Sequence, residues 1–161
     1  MKTNSNLGKK FMALCMTAFI STSLLTSCNK DDEAVNDNPY TITGDANGAK
    51  VVPSVTDTGT AKISGSYNAS TNLLTYTTNW TGLSGGPTSG GFYNGASGVT
   101  GTAIGSSWAF TQPTTVTGSR SDTLTLTEDQ EAQLLEGNWY YTLKTTKNPN
   151  GEVRGQMTAT R

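Results

Sequence analysis

Cys28 carries the most versatile side-chain chemistry in this 161-residue chain. The only other cysteine in the sequence, Cys15, lies within the first hydrophobic run. A thiol can form half of a disulfide, bind a metal, act as a nucleophile or carry a covalent attachment. The residues on either side of Cys28 discriminate between these four roles.

The first 27 residues have the layout of a secretory signal peptide. Three lysines supply a positive start, and an apolar stretch follows over residues 11–25. This stretch falls short of the roughly 20 apolar residues that span a membrane, and threonine and serine interrupt it. Residues 25–28 read Leu-Thr-Ser-Cys, which resembles the lipobox of bacterial lipoprotein signals. That resemblance implies a cysteine that is diacylated, becomes the new N-terminus and is usually acylated a third time.

We therefore expect residues 1–27 to be a lipoprotein signal peptide and Cys28 to be the lipidation site, carrying palmitate-type chains. The alternative is an ordinary cleaved signal with an incidental cysteine. Cleavage would remove Cys15 and acylation would block Cys28, so no disulfide could form within the mature chain. Each acyl chain contributes about 0.8 kcal/mol per buried CH₂, and two or three chains make a stable membrane anchor.

Charged residues follow Cys28 almost directly, and they are Lys30, Asp31, Asp32 and Glu33. A lysine and then acidic residues behind the acylated cysteine resemble the lipoprotein export signal of Bacteroidota. That resemblance implies the outer leaflet of the outer membrane, with the protein exposed at the cell surface. The alternative is a solvated, flexible tether without a sorting role. In both interpretations residues 28–39 form the tether.

The charge balance and composition bound the partners and the fold. The chain has 11 basic residues, 12 acidic residues and no histidine, and cleavage of the signal would remove three of the lysines. An acidic chain without a basic patch argues against nucleic acid as a partner. Abundant threonine and glycine with few charges are typical of an all-β protein.

Residues 40–161 are predicted to form one all-β domain, a Greek-key sandwich or barrel of about 7–8 short strands with one short helix. Apolar and polar residues alternate over residues 60–67 and 74–80, on either side of a polar turn at residues 68–72. This pattern predicts a hairpin. The same alternation further on predicts that Trp139 faces the core.

The strand that begins at Trp139 is predicted to point Tyr141 inward as well, and Tyr140 and Lys144 outward. A short helix is predicted just before it. Thr127 and Gln130 match a capping box at its start, and a glycine at position 137 ends it. The residues predicted to face the sheet from this helix are Ala132, Leu134 and Leu135.

Two glycine-containing motifs stand out in the domain. Residues 95–101 read GASGVTG and residues 148–156 read NPNGEVRGQ. They resemble the GAPGVNG and HPxGEIRGQ motifs of the CHRD domain, a repeat named from chordin and also found singly in many bacterial exported proteins. Five further segments keep the family's order and spacing, and they are residues 47–55, 58–61, 73–76 with 81–83, 124–127, and 134–138 with Tyr141. The resemblance assigns a structural role to Gly95, Gly98, Gly101, Gly151, Glu152, Arg154 and Gly155.

The departures from the family concern histidine. Relatives often carry His-x-His just before GAPGVNG and further histidines before GEIRGQ, in places that loosely resemble the copper–zinc superoxide dismutase sandwich and would suit a transition metal. Here residues 91–93 read Gly-Phe-Tyr, and Lys144 and Asn148 stand at the other two positions. We therefore expect no metal site, no cofactor and no dismutase activity.

The remaining acid–base groups do not make a catalytic set. Without histidine and a free thiol, the usual nucleophile–base pairs cannot be assembled. Glu152 and Arg154 are two residues apart, so we expect a structural pair on one side of a strand, joined as a salt bridge or bonded to neighbouring backbone. No catalytic residue is assigned, and the chain is predicted not to be an enzyme.

The glycine-rich run over residues 82–101 has no helix after it, so it is not a phosphate cradle. We interpret it as long loops around a short strand, which give the domain a flexible rim. A lipid anchor and a rigid sandwich with such loops favour a monomeric module that binds an unknown protein or glycan. The alternatives are an envelope-associated structural lipoprotein without a diffusible ligand, and a dismutase-like metal protein that has lost its histidines.

Overall fold

A computed structural model describes residues 38–112 and 114–161 of the chain. The predicted signal peptide, Cys28 and the charged residues 30–33 lie outside the described residues. The elements are β1 Tyr40–Asn47, β2 Thr60–Asn68, β3 Leu73–Thr81, β4 Ser89–Asn94, β5 Thr102–Ala109, β6 Gly118–Thr125, α1 Glu128–Leu135, β7 Trp139–Lys144, β8 Val153–Gln156 and β9 Thr158–Thr160. Within this part of the chain, no helix has the length and apolar character needed to cross a membrane.

The strands form one curled antiparallel sheet in the order β5-β4-β7-β8-β1-β2-β3-β6, with β9 paired to β1. The all-β prediction with one short helix is confirmed. The described residues contain nine strands rather than 7–8, because Met157 separates β8 from β9. The sheet curls like half of a barrel and wraps its concave face around the core.

The predicted hairpin is formed by β2 and β3, with Ala61 opposite Trp80 and Tyr67 opposite Leu74. Its turn is held by Asn68, whose side-chain oxygen accepts hydrogen bonds from the backbone amides of Ser70 and Thr71 at 2.8 and 3.2 Å. Asparagine favours this local bond, which is why a polar cluster marks the turn in the sequence.

The predicted alternation of β7 is also confirmed. Trp139 and Tyr141 are fully buried in the core, where Trp139 packs against Phe92 of β4 with ring centroids 5.4 Å apart. Tyr140 and Lys144 point to the outer, convex face. Tyr140 nevertheless has only 5% of its surface exposed, because other residues cover it on that outer face.

The helix begins where it was predicted, with Thr127 as N-cap and a complete capping box to Gln130. The inward direction predicted for Ala132 is wrong, since Ala132 is exposed. Leu134 is the fully buried residue of this helix, and Ala132 lies about 200° around the helix axis from it. An eight-residue helix presents one narrow stripe to the sheet, and Leu134 and Leu135 fill it.

The sheet stays open between β5 and β6, which are its two edge strands. The side chain of Arg120 on β6 spans part of this gap. It donates to the Tyr76 hydroxyl at 3.1 Å and lies 5.3 Å from the ring centre of Trp108 on β5. β5 also bulges, since Gly105–Ser107 stand opposite the single residue Gly91 of β4.

Candidate functional site

Four side chains form a row on the outer face of β4, β7 and β8. Tyr93 stands opposite Tyr140 in the strand register, and their rings stack with centroids 5.2 Å apart and an interplanar angle of 11°. The guanidinium carbon of Arg154 lies 3.6 Å from the ring centre of Tyr140. The ammonium nitrogen of Lys144 lies 5.9 Å from the ring centre of Tyr93. The row therefore places two aromatic rings between two cations.

A cleft of about 300 Å³ lies over this row. Besides the row itself, its lining consists of Val51, Val52, Pro53, Thr100, Gly101, Thr142 and Asn150. Val51–Pro53 follow the short 3-10 turn that leaves β1. Val52 is 42% exposed, an apolar side chain beside a polar floor. A volume of this size lies at the lower end of the range for small-molecule sites.

The second border of the cleft is the segment 95–101, which folds back over the outer face. The amide of Gly101 donates to the Tyr140 hydroxyl at 3.0 Å, and Arg154 Nη2 donates to the carbonyl oxygen of Ala96 at 2.8 Å. Gln156 Nε2 donates to the carbonyl oxygen of Gly95 at 2.9 Å. These bonds fix the border to β7 and β8.

The motif glycines serve this arrangement. A Cβ at Gly101 would collide with the carbonyl oxygen of Asn94, so the segment could not close at this point with any other residue. Gly98 and Gly151 have φ angles of +77° and +134°, which L-residues rarely adopt. At Gly155, a Cβ would stand 2.8 Å from the Asp45 carbonyl oxygen, so its lack of a side chain lets β8 approach β1. The resemblance found these positions, although the alternation pattern alone does not.

The cleft is locally positive in a chain with a net charge of −1. The ion pairs among the described residues join Lys62 to Asp45, Arg120 to Asp122 and Lys147 to Asp57. Lys144 and Arg154 belong to none of them, and the cleft lining contains no acidic residue. Arg154 is only 4% exposed, and burial lowers the pKa of its guanidinium. The row thus presents two cations without a carboxylate partner in the described part of the chain.

The salt bridge offered as one form of the Glu152–Arg154 pair is therefore wrong, and each side chain instead bonds to the backbone of a loop that is distant in sequence. Arg154 donates to a carbonyl oxygen in the 95–101 segment. Glu152 accepts a hydrogen bond from the backbone amide of Ser84 at 2.6 Å. Two residues apart in sequence, they serve different loops.

Glu152 is fully buried in a polar cluster with Ser84, Thr145 and Asn148. Its Oε2 accepts hydrogen bonds from the two hydroxyls at 2.5 and 2.6 Å and from Asn148 Nδ2 at 3.2 Å. Burial by itself raises the pKa of this carboxyl, but these bonds outweigh it and hold the pKa below its usual value. The charge is therefore satisfied from within the protein, as expected of a residue that locks loops together.

The positions where relatives carry histidine fall at two separate places. Tyr93 and Lys144 lie on the cleft, whereas Asn148 lies in the Glu152 cluster and also donates to Asp57 at 2.8 Å. Among the described residues, no group of three or more histidine, cysteine, aspartate or glutamate side chains is placed to hold a metal.

Sequence reasoning placed Tyr140 and Lys144 outside but missed the cleft that they floor. The available signal was the outward set of β7, in which a tyrosine, a threonine and a lysine alternate with the core residues. The contributions of Val52 and Asn150 had no signal, because both come from loops. Of the predicted rim over residues 82–101, only Tyr93, Thr100 and Gly101 line the cleft.

Comparison with known proteins bears on the origin of this fold. A family model for the CHRD domain matches residues 42–157, well over half of the chain. The chain belongs to the CHRD family. The match begins within β1 and ends at Met157, directly after β8. It therefore includes the whole row and both borders of the cleft in this CHRD domain. No curated protein and no solved structure gives a significant match to the chain.

Proposed function

We propose that this chain is a lipid-anchored protein of the outer-membrane surface whose CHRD domain binds a ligand in the outer-face cleft. The observation that carries the proposal is the row of Tyr93, Tyr140, Lys144 and Arg154, in which two cations lack an acidic partner among the described residues. Maintaining a nearly buried guanidinium without a carboxylate costs free energy, and a site that receives an anion offsets that cost.

The lining of the cleft favours binding over catalysis. Its polar groups are tyrosine and threonine hydroxyls, one amide side chain and two cations, and it contains no carboxylate, imidazole or thiol that could act as a general base. Aromatic rings, hydroxyls and cations on a rigid sheet are groups that position a ligand. The ligand on this proposal is a protein or a glycan.

The membrane part of the proposal rests on the lipobox at residues 25–28 and the charged residues 30–33. The Cys28→Ser change removes the thiol that would be acylated. We expect the parent chain to incorporate a palmitate analogue and to enter the detergent phase, and the variant to do neither. Membrane fractionation of the Cys28→Ser chain equal to that of the parent would overturn the anchor.

Surface exposure is tested separately with a variant in which alanine replaces Lys30, Asp31, Asp32 and Glu33. We expect proteinase K added to intact cells to digest the parent and to spare this variant, although both carry lipid. Equal digestion of the two chains would overturn the export role of these residues.

Binding is tested by probing glycan and protein arrays with the full-length chain in detergent, comparing Tyr93→Ala with Tyr40→Ala. Tyr40 is a matched control, because it is a partly exposed tyrosine with Arg161 4.0 Å from its ring centre and does not line the cleft. Signals that Tyr93→Ala removes and Tyr40→Ala keeps would support the cleft. Signals indifferent to Tyr93→Ala would mean that the cleft is not the binding site.

A further inference from the structure

The two cations of the row differ in how they could meet a ligand. Arg154 is held in place by the ring of Tyr140 and the carbonyl oxygen of Ala96, at 3.6 and 2.8 Å. Lys144 is partly exposed, and its ammonium group lies over the ring of Tyr93 without a hydrogen bond or ion pair to another described residue. One cation is therefore rigid and the other is free to close on a group that enters the cleft. An anionic group that enters the cleft would pair with the Lys144 ammonium, at the end of the row away from Arg154.

The remaining lining argues for more than a small inorganic ion. Val52 offers an exposed apolar side chain and Tyr93 an incompletely covered ring, whereas Thr142 and Asn150 offer neutral hydrogen-bonding groups. An inorganic anion would use only the cations. A sugar ring presents both C–H faces and hydroxyls, and therefore matches apolar, aromatic and amide groups in one small cleft.

The sheet topology argues against a peptide. β4, β7 and β8 are interior strands, each paired on two sides. Their backbone donors and acceptors are already used, so a peptide cannot add to the sheet at the cleft as an extra strand. A ligand must be recognised here through side chains and the backbone of the bordering loops, which suits a sugar better than an extended chain.

We infer that the cleft binds an acidic saccharide, whose carboxylate or sulfate group pairs with the Lys144 ammonium and whose ring packs beside Tyr93 and Val52. This inference rests on the proposed binding role of the cleft and names its ligand class. The two anionic groups share the charge and the oxygen acceptors that the cations require, and separate probes distinguish them.

The experiment is calorimetric titration of the full-length chain in detergent with four probes. These are polygalacturonate oligosaccharides, dextran sulfate, neutral dextran and polyglutamate. The variant is Lys144→Gln, and the control is Lys62→Gln, because Lys62 is an exposed lysine that does not line the cleft. Arg154 is left unchanged in this titration, because the partly exposed Lys144 is the cation that the inference places on the anionic group.

We expect at least one acidic saccharide to bind and neutral dextran not to bind. Lys144→Gln is expected to weaken that binding about tenfold or more, because a charge-assisted hydrogen bond is lost, whereas Lys62→Gln leaves it unchanged. Affinity should fall as salt rises. Comparison of the affinities for polygalacturonate and dextran sulfate then tells whether carboxylate or sulfate is preferred.

Equal binding of dextran, equal loss in both lysine variants, or no binding of either acidic saccharide would overturn the inference. Stronger binding of polyglutamate with the same dependence on Lys144 would also overturn it, but would leave the proposed binding role of the cleft intact. The anchor and surface tests are independent of all four probes, so their failure is distinguishable from failure here.

Discussion

Glu152 and Arg154 lie two residues apart, and both are almost inaccessible to solvent, yet their charges are treated in opposite ways. Glu152 receives hydrogen bonds from four groups of the protein. The guanidinium of Arg154 donates one hydrogen bond, to the carbonyl oxygen of Ala96, and lies against the face of the Tyr140 ring. The first charge is compensated within the fold, whereas the second has no carboxylate partner among the described residues. A buried charge is thus structural in one place and, in our proposal, part of a binding site in the other.

The largest effect should come from Glu152→Gln, measured by urea unfolding in the unlipidated Cys28→Ser background. Glutamine offers one acceptor oxygen in place of two and adds a donor group that faces hydroxyls and an amide. Leaving buried donors without acceptors typically costs about 2–3 kcal/mol of unfolding free energy. A loss below the measurement error would mean that the Glu152 cluster does not hold the loops.

The pH dependence of stability should reveal the contribution of the Glu152 carboxylate. Because the folded pKa of Glu152 is lowered, its contribution is complete above the ordinary value of 4.5 and is lost as pH falls through the folded pKa. The melting temperature of the parent should therefore fall more steeply on acidification below 4.5 than that of Glu152→Gln. Hydrogen bonds from Lys147 and Asn148 also lower the pKa of Asp57, so Asp57 adds to the loss of stability in acid. The Asp57→Asn variant is the control for this second contribution. If the melting temperatures of the parent and of Glu152→Gln fell in parallel as the pH is lowered, this account would be contradicted.

The smallest effect on stability should come from Arg154→Met. Methionine is unbranched and apolar but shorter than arginine, so it loses the cation–ring attraction and the hydrogen bond to Ala96. Removal of the desolvation cost of an unpaired buried charge offsets these losses. We expect a change within about 1 kcal/mol, together with loss of ligand binding. Glu152→Gln should lower stability but keep ligand binding, which is measured at a temperature where this variant remains folded. A destabilisation by Arg154→Met equal to that by Glu152→Gln would remove the distinction between the two regions.

The direction of the β7 side chains and the start of the helix could be predicted from the sequence, because both depend on local patterns. The alternation of Trp139 and Tyr141 predicts the inward face of β7, and Thr127 with Gln130 predicts the start of the helix. Both depend on neighbours a few residues away. The environments of Glu152 and Arg154 do not follow in this way, since their partners Ser84 and Ala96 are 68 and 58 positions distant.

The cleft shows the same limit of sequence reasoning. Its floor belongs to strands and follows from the outward positions of β7. Its borders belong to loops, and Val52 and Asn150 lie beside the floor only through the pairing of strands that are far apart in sequence. The period-two rule also fails for Glu152 itself, which precedes β8 and is not part of the strand.

The open edge of the sheet has a further consequence if the chain is anchored to a membrane surface as we propose. Copies tethered in one plane meet often and in similar orientations, and a straight exposed strand would invite them to join edge to edge. β5 is bent by the bulge at Gly105–Ser107, where Gly105 adopts a φ of +65°. β6 carries Arg120 and Asp122 on the opposing edge. Neither edge is a good template for a neighbouring copy, so crowding need not lead to fibrous assembly.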